Sequence, residues 1–232
     1  MDVFGKAILD FYQTGEVDIL VLHNSYAEAE EMPVDFFFRD EEEMPDMELS
    51  ALHLCKVKIL DVGAGVGSHA LVLQGFNVDV TAIDISATAV KIMKDRGVKK
   101  AFVADILQFA TTEKYDTILM LMNGIGLTGS LPGFEKFISD AKNLLNIDGQ
   151  MLFDSSDISY LYEDLPKPTD KYFGEVSYQY EYNGQKGDWF NWVYVDKETI
   201  IQIAEKNGGN AEIILDDGED QFLVKLTFPQ SD

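Results

Sequence analysis

The stretch Val57-Lys58-Ile59-Leu60-Asp61-Val62-Gly63-Ala64-Gly65-Val66-Gly67 decides the fold. Its first half, Val57 to Val62, is a short run rich in β-branched and apolar residues and reads as a buried strand. Its second half is a glycine turn, and Ser68 to Leu73 beyond it carry apolar residues at helical spacing. A glycine turn between a strand and a helix is the context that a nucleotide-binding loop requires. Gly63 and Gly65 let the backbone turn sharply and approach a ligand, in space that a Cβ would occupy. The plainer reading of the same residues is a tight strand-to-helix turn with nothing bound.

Spacing narrows the ligand. A dinucleotide fingerprint has two residues between its second and third glycines. Here Gly67 follows Gly65 after one residue, and Ser68 stands at the dinucleotide position. The next strand ends Ala82-Ile83-Asp84-Ile85-Ser86, where the Asp84 carboxylate can accept from both ribose hydroxyls or cap the following helix, a task open to Ser86 as well. The strand after that ends Val103-Ala104-Asp105-Ile106. It sets a second carboxylate at the same sheet edge, within reach of an adenine amine or of a helix cap.

Outward from the loop, strands are predicted at Val57 to Val62, Val78 to Asp84, Lys100 to Ala104, Tyr115 to Met122 and Gln150 to Asp154. Helices fill the gaps at Ser68 to Leu73, Ala87 to Arg96 and Leu131 to Leu145, with Gly75, Gly97 and Gly149 where they should end. This alternation implies an α/β fold, a parallel sheet covered on both faces. Upstream lie a helical pattern from Phe4 to Tyr12, an apolar stretch Val17 to Leu22, an acidic aromatic segment Phe36 to Glu43 and a helix Met44 to Leu54 with Pro45 in its first turn. Downstream, Val176 to Tyr182 and Trp189 to Val195 alternate as an inserted hairpin at about 174–196. A helix Lys197 to Asn207 follows, and a terminal hairpin, Ala211 to Leu215 and Gln221 to Phe228, closes the chain. We divide it into a helical cap segment, 1–55, and a main domain, 56–232.

Composition excludes several partners. Among 232 residues, 41 acidic and 18 basic side chains leave a formal charge of −23, and no basic tract is present to neutralise a nucleic acid or an anionic membrane. Apolar stretches fall short of a bilayer span. The single cysteine, Cys55, cannot form an internal disulfide, and the first residues lack a secretory pattern, so a cytoplasmic location is expected.

The D-V-G-A-G-V-G loop, the A-I-D-I-S and V-A-D-I strand ends and the Met122-Asn123-Gly124 loop, in this order over roughly Val57 to Asp157, resemble a class I S-adenosylmethionine-dependent methyltransferase. The resemblance implies a Rossmann-like, doubly wound, mostly parallel seven-stranded sheet with an antiparallel last strand. It implies that Gly63 to Gly67 hold the methionine part of the cofactor, that Asp84 holds the ribose and that Asp105 lies near the adenine. Asp61, Ala64, Ile85, Ala104, Ile106, Met122 and Asn123 complete the cofactor-binding set. Pro33 to Asp40 resembles the leader of bacterial members. There Arg39 can pair bidentately with the methionine carboxylate, or with Glu41 to Glu43 at the surface.

Methyl transfer from a sulfonium needs alignment and exclusion of water more than a catalytic side chain. His23, Tyr26, His69, Asn123 and Asp157 are the candidates for a base or for positioning, each with a plain structural role as its alternative. The fourth strand lacks the Asn/Asp-Pro-Pro-aromatic motif associated with exocyclic or amide nitrogen acceptors, and no Pro-Cys nucleophile for pyrimidine carbon methylation occurs; with the acidity, a small-molecule acceptor is expected over DNA or RNA. Asp154-Ser155-Ser156-Asp157 could hold Mg²⁺, but the matching position after strand four is Asn123, so no metal is expected. The hairpin aromatics, Tyr178, Tyr180, Tyr182, Trp189, Phe190, Trp192 and Tyr194, either roof an acceptor pocket or form ordinary core. An NAD(P)-dependent oxidoreductase and a noncatalytic nucleoside-binding protein of the same fold are the competing readings.

Overall fold

A computed structural model describes residues 2–16, 19–164 and 166–229, so Val17, at the start of the expected apolar stretch, lies outside the described residues. Helix α1, Val3–Thr14, begins where the Asp2 carboxylate accepts the Gly5 N–H at 2.7 Å and ends at Gly15, which turns left-handed with φ of 71°. The strands β1 (Leu20–Asn24) and β2 (Glu30–Met32) come next, then 3₁₀ turns at Asp35–Phe38 and Glu41–Glu43 and helix α2 at Asp46–Leu54. Pro45 stands at the N-cap of α2 and not within its first turn.

The alternating core follows as β3 (Lys58–Val62), α3 (Ser68–Gly75), β4 (Asp79–Asp84), α4 (Ala87–Asp95), β5 (Ala101–Val103), β6 (Tyr115–Met120), α5 (Leu131–Ala141) and β7 (Leu145–Ser156). Three boundaries differ from expectation. The strand β6 stops two residues early because Met122 and Asn123 both adopt positive φ, 62° and 55°. A 3₁₀ turn at Lys142–Leu144 ends the α5 segment, and Gly149 lies within β7, where Asp148 takes the positive φ. The chain continues through β8 (Glu175–Tyr182), β9 (Gln185–Lys186), β10 (Phe190–Val193), α6 (Lys197–Lys206), β11 (Asn210–Asp216) and β12 (Gln221–Thr227).

The main sheet has the order β11-β12-β7-β6-β3-β4-β5. Its pairs are parallel from β5 to β7, and β12 runs antiparallel to both β7 and β11. This is the seven-stranded architecture implied by the resemblance. One face packs on α5 and α6 around Phe134, Phe153 and Phe222; the other packs on α2, α3 and α4 around Leu52, Ile59, Leu73 and Met93. Alternation along β3 sends Leu60 and Val62 to the first face and Ile59 to the second. The carboxyl ends of β3, β4 and β6 thus meet at one edge, where an open α/β sheet binds its ligands.

The expected hairpin belongs to a second, antiparallel sheet, β10-β8-β1-β2 with β9 on β8. Asn183 and Gly184, with φ of 50° and 69°, form the tight turn between β8 and β9. The amino-terminal segment, read as helical, therefore also supplies two strands. Leu22 of β1 lies opposite both Tyr180 and Glu30, so these three share one face of the sheet.

The two sheets meet where Trp192 of β10 lies on the 3₁₀ turn Gly124–Thr128. A Cβ on Gly126 would come within 2.0 Å of the Trp192 indole. Gly126→Ala is expected to destabilise the protein by about 1 to 3 kcal/mol through overpacking, and Trp192→Ala in the same chain to relieve that increment. Thermal unfolding of the two single variants and the double variant reads this directly; strictly additive losses would contradict it.

Candidate active site

The loop after β3 is tied to β4 by backbone bonds from Gly63 and Ala64 to the Ile83 carbonyl, at 2.9 and 3.1 Å. Gly63 and Gly65 have φ of 69° and 54°, a conformation that L side chains rarely adopt. The space beside them differs. A Cβ on Gly65 would meet nothing within 4 Å, whereas one on Gly63 would strike Leu127 at 2.6 Å. The close approach expected of both glycines is thus open to a ligand at Gly65, while Gly63 gives way to a side chain. Gly67 starts α3 and faces Met93 and Val98, so its role is packing.

Asp84, at the end of β4, braces this loop. One of its oxygens accepts the Gly65 N–H at 2.9 Å and the other the Ser86 N–H at 2.8 Å. Ser86 caps α4 by accepting from Ala89, so Asp84 is not the helix cap. Burial pushes the Asp84 carboxyl up to about 6, against the backbone N–H donors of Ser86, Gly65 and Ile85. Ile85 beside it is 72% exposed, a large apolar side chain open to a partner. Asp105 does act as a cap, accepting from Leu107 and Gln108 at the short 3₁₀ turn Ile106–Gln108; Ala104 is half-buried and Ile106 buried beside it.

Arg39 does not pair with Glu41 to Glu43. Its Nη2 donates to both oxygens of Glu48 on α2, at 2.8 and 3.0 Å, its Nε donates to the Phe36 carbonyl, and its guanidinium lies 3.6 Å from the Phe36 ring centroid. His69 on α3 shares the same Glu48 carboxylate at 2.7 Å. Burial opposes ionisation of Glu48, but the His69 and Arg39 bonds outweigh it and hold the carboxyl below its ordinary range. Glu48 was not singled out from sequence, although an acid sharing a helix face with buried Ala51 and Leu52 is the available signal.

Two atoms stand out. Among the described residues, Arg39 Nη1 and Asp61 Oδ2 are buried without a hydrogen-bond partner, on side chains from residues only 8% and 2% exposed. Burial pushes Asp61 up to about 6, with His69 lowering it and Asp84 raising it further. Unpartnered buried polar atoms are rare enough in folded proteins to require an explanation.

Past β6, Met122 and Asn123 are held in their left-handed turn by Asp154 of β7, which accepts the Asn123 N–H at 3.0 and 2.9 Å and the Gln221 amide at 2.8 Å. Burial pushes Asp154 up to about 6 as well. Two backbone positions in this sparsely populated region, at the edge of a cleft, store strain of the kind found at functional sites. Among the described residues no group of three or more His, Cys, Asp or Glu could hold a metal ion. Of the other candidates, His23 pairs with Glu181 on the outer face of the second sheet, Tyr26 bonds Tyr178, and Asp157 caps the 3₁₀ turn Ile158–Tyr162. Cys55 is half-buried, and burial pushes its thiol up, away from nucleophilic character.

Comparison with known proteins agrees with this architecture. A methyltransferase-domain family model matches residues 55–208. A SAM-dependent methyltransferase from Bacteroides fragilis, crystallised in complex with S-adenosyl-L-homocysteine, is 40% identical, with 99% of this chain and 95% of that one covered and a TM-score of 0.90. The CcbJ methyltransferase of Streptomyces caelestis, 13% identical over 81% of this chain and 100% of its own, has a TM-score of 0.64 and shares the fold. No curated protein matches the chain. Among the described residues no helix is long and apolar enough to cross a membrane. Family match, close relative and sheet order converge: the chain belongs to the class I S-adenosylmethionine-dependent methyltransferases.

Proposed function

We propose that this enzyme transfers the methyl group of S-adenosylmethionine to a small organic acceptor, in the cytoplasm, with the donor lying across the glycine loop at the carboxyl ends of β3 and β4. The observation that carries the reading is the pair of unpartnered buried atoms, Arg39 Nη1 and Asp61 Oδ2. An unpartnered cation and an unpartnered anion, linked through Glu48 and His69, fit the two ends of an α-amino acid, the carboxylate to Arg39 and the ammonium to Asp61. Gly65, open on its ligand side, fits the chain between. The Asp84 carboxylate, at the end of β4, fits the ribose hydroxyls, and Ile85, Ala104, Asp105 and Ile106 fit the adenine end. Met122 and Asn123 border the reacting methyl.

The bound donor supplies a methyl already activated by its sulfonium. The residues then fix its amino-acid end, orient its ribose and exclude water, with no metal and no obligatory base. The formal charge of −23 supports a small acceptor over a nucleic acid.

Calorimetric titration with S-adenosylhomocysteine tests the reading. Burial pushes the carboxyls of Asp84 and Asp61 up to about 6, and the ligand's ammonium and hydroxyls favour their ionised forms. Affinity is therefore expected to rise with pH through that range and level off above it, falling about tenfold per carboxylate for each pH unit below 6. Arg39→Ala is expected to weaken S-adenosylhomocysteine but to spare 5′-methylthioadenosine, which lacks the amino-acid end. A folded protein that binds neither ligand at millimolar concentration would refute the proposal.

A further inference from the structure

Beside the donor cleft lies a cavity of about 310 Å³ whose walls include Leu22, Glu30, Met32, Phe36, Phe37 and Met122. Met122 connects it to the strained turn after β6, and Phe36 and Met122 both touch Arg39, the residue with the unpartnered Nη1. The cavity thus opens beside the donor's expected amino-acid end. Its walls are mainly apolar, yet Glu30 stands at the rim on the inner face of the second sheet, level with Leu22 and Tyr180. Among the described residues the Glu30 carboxylate accepts one hydrogen bond, a long 3.4 Å contact from Asn24, and pairs with no lysine or arginine.

A row of phenols occupies the same face. Tyr178, buried, bonds the hydroxyls of Tyr26 at 3.0 Å and Tyr194 at 2.8 Å. Burial first, with the charge of Glu30 among the smaller causes, raises the phenols of Tyr26, Tyr160 and Tyr194. Tyr160 in turn lines a second cavity of about 500 Å³ with Asp157, Glu163 and Asp220. Among the described residues, neither cavity is lined by a lysine, arginine or histidine. An apolar pocket with aromatic walls and uncompensated carboxylates is complementary to an organic cation, because ring faces and carboxylates both attract an ammonium and an anionic acceptor would find no counter-charge.

We propose that the acceptor is a small organic amine, cationic in solution, seating its apolar body against Met32, Phe36 and Phe37 and its nitrogen between Glu30 and the phenol row. This rests on the donor assignment above. The ammonium first loses a proton to water; its nitrogen lone pair then forms the new N–C bond as the C–S bond breaks, with that electron pair staying on sulfur. The methylated amine leaves with the positive charge, and the donor becomes neutral at sulfur. Glu30 is exposed, so its replacement spares the core.

The test uses the full chain saturated with S-adenosylhomocysteine and three probes of one skeleton: 2-phenylethylamine, 2-phenylethanol and phenylacetate. Ligand-observed NMR is expected to show binding of the amine alone. Glu30→Gln is expected to weaken that binding about tenfold while leaving S-adenosylhomocysteine affinity within about twofold. Equal or stronger binding of the alcohol or acid, no binding of any probe, or an amine affinity unchanged in Glu30→Gln would each overturn the inference while the donor assignment stands. Loss of S-adenosylhomocysteine binding by the unaltered protein would instead overturn the donor assignment and this inference with it.

Discussion

Asp84→Ala is expected to weaken S-adenosylhomocysteine binding by about 100-fold, and by more than Arg39→Ala does. Two hydrogen bonds from ribose hydroxyls to an ionised acceptor contribute about 1.5 kcal/mol each, which together give roughly that factor. Asp84 also accepts the Gly65 N–H, so its removal loosens the glycine loop as well as the ribose contact. Arg39 has less to lose: Nη2 and Nε are engaged by Glu48 and the Phe36 carbonyl, and only Nη1 is open. Calorimetry on the two variants ranks them, and the opposite order would remove Asp84 from the ribose role.

The largest stability effect is expected at Glu48. Glu48→Leu leaves the Arg39 guanidinium buried without its carboxylate and His69 without its partner. Breaking a buried ion pair in this way costs about 3 to 5 kcal/mol, a fall of roughly 6 to 20 °C in Tm for a chain of this size. Replacing both partners, Glu48→Leu with Arg39→Met, is expected to recover most of that loss, because no uncompensated charge remains. S-adenosylhomocysteine affinity should stay low in the double variant, since the cation facing the amino-acid end is gone. Recovery of stability and affinity together would show that Arg39 serves the fold alone.

The central strands, the helices between them and the order of the glycine loop, Asp84 and Asp105 were legible because each is written locally, in strand or helical period and in turn residues. The Asn183-Gly184 turn was legible for the same reason. Pairing of β1 and β2 with the hairpin was not, because antiparallel partners distant in sequence share no local period; Val17 to Leu22 showed only as an apolar stretch. The aromatic alternation of Tyr178, Tyr180 and Tyr182 marked a strand without naming its neighbour. Arg39 was singled out, but its partner was sought in the methionine carboxylate or among the adjacent acids Glu41 to Glu43. Glu48 is brought to it by the fold of α2, a tertiary fact that sequence proximity misdirects.

The pairing of β1 with β8 also sets the order in which the molecule can mature. His23 and Glu181, bonded across these strands, are 158 residues apart. Contacts so distant in the chain form late, after the entropy of closing the intervening loop has been overcome. During synthesis the glycine loop and β4 emerge while β8 is still untranslated, so β1 can pair with β2 early but with β8 only after most of the chain has been made. The strand β1, though among the first segments made, gains its β8 neighbour only once Glu175–Tyr182 has been synthesised, whereas Arg39 can already pair with Glu48 nine residues away.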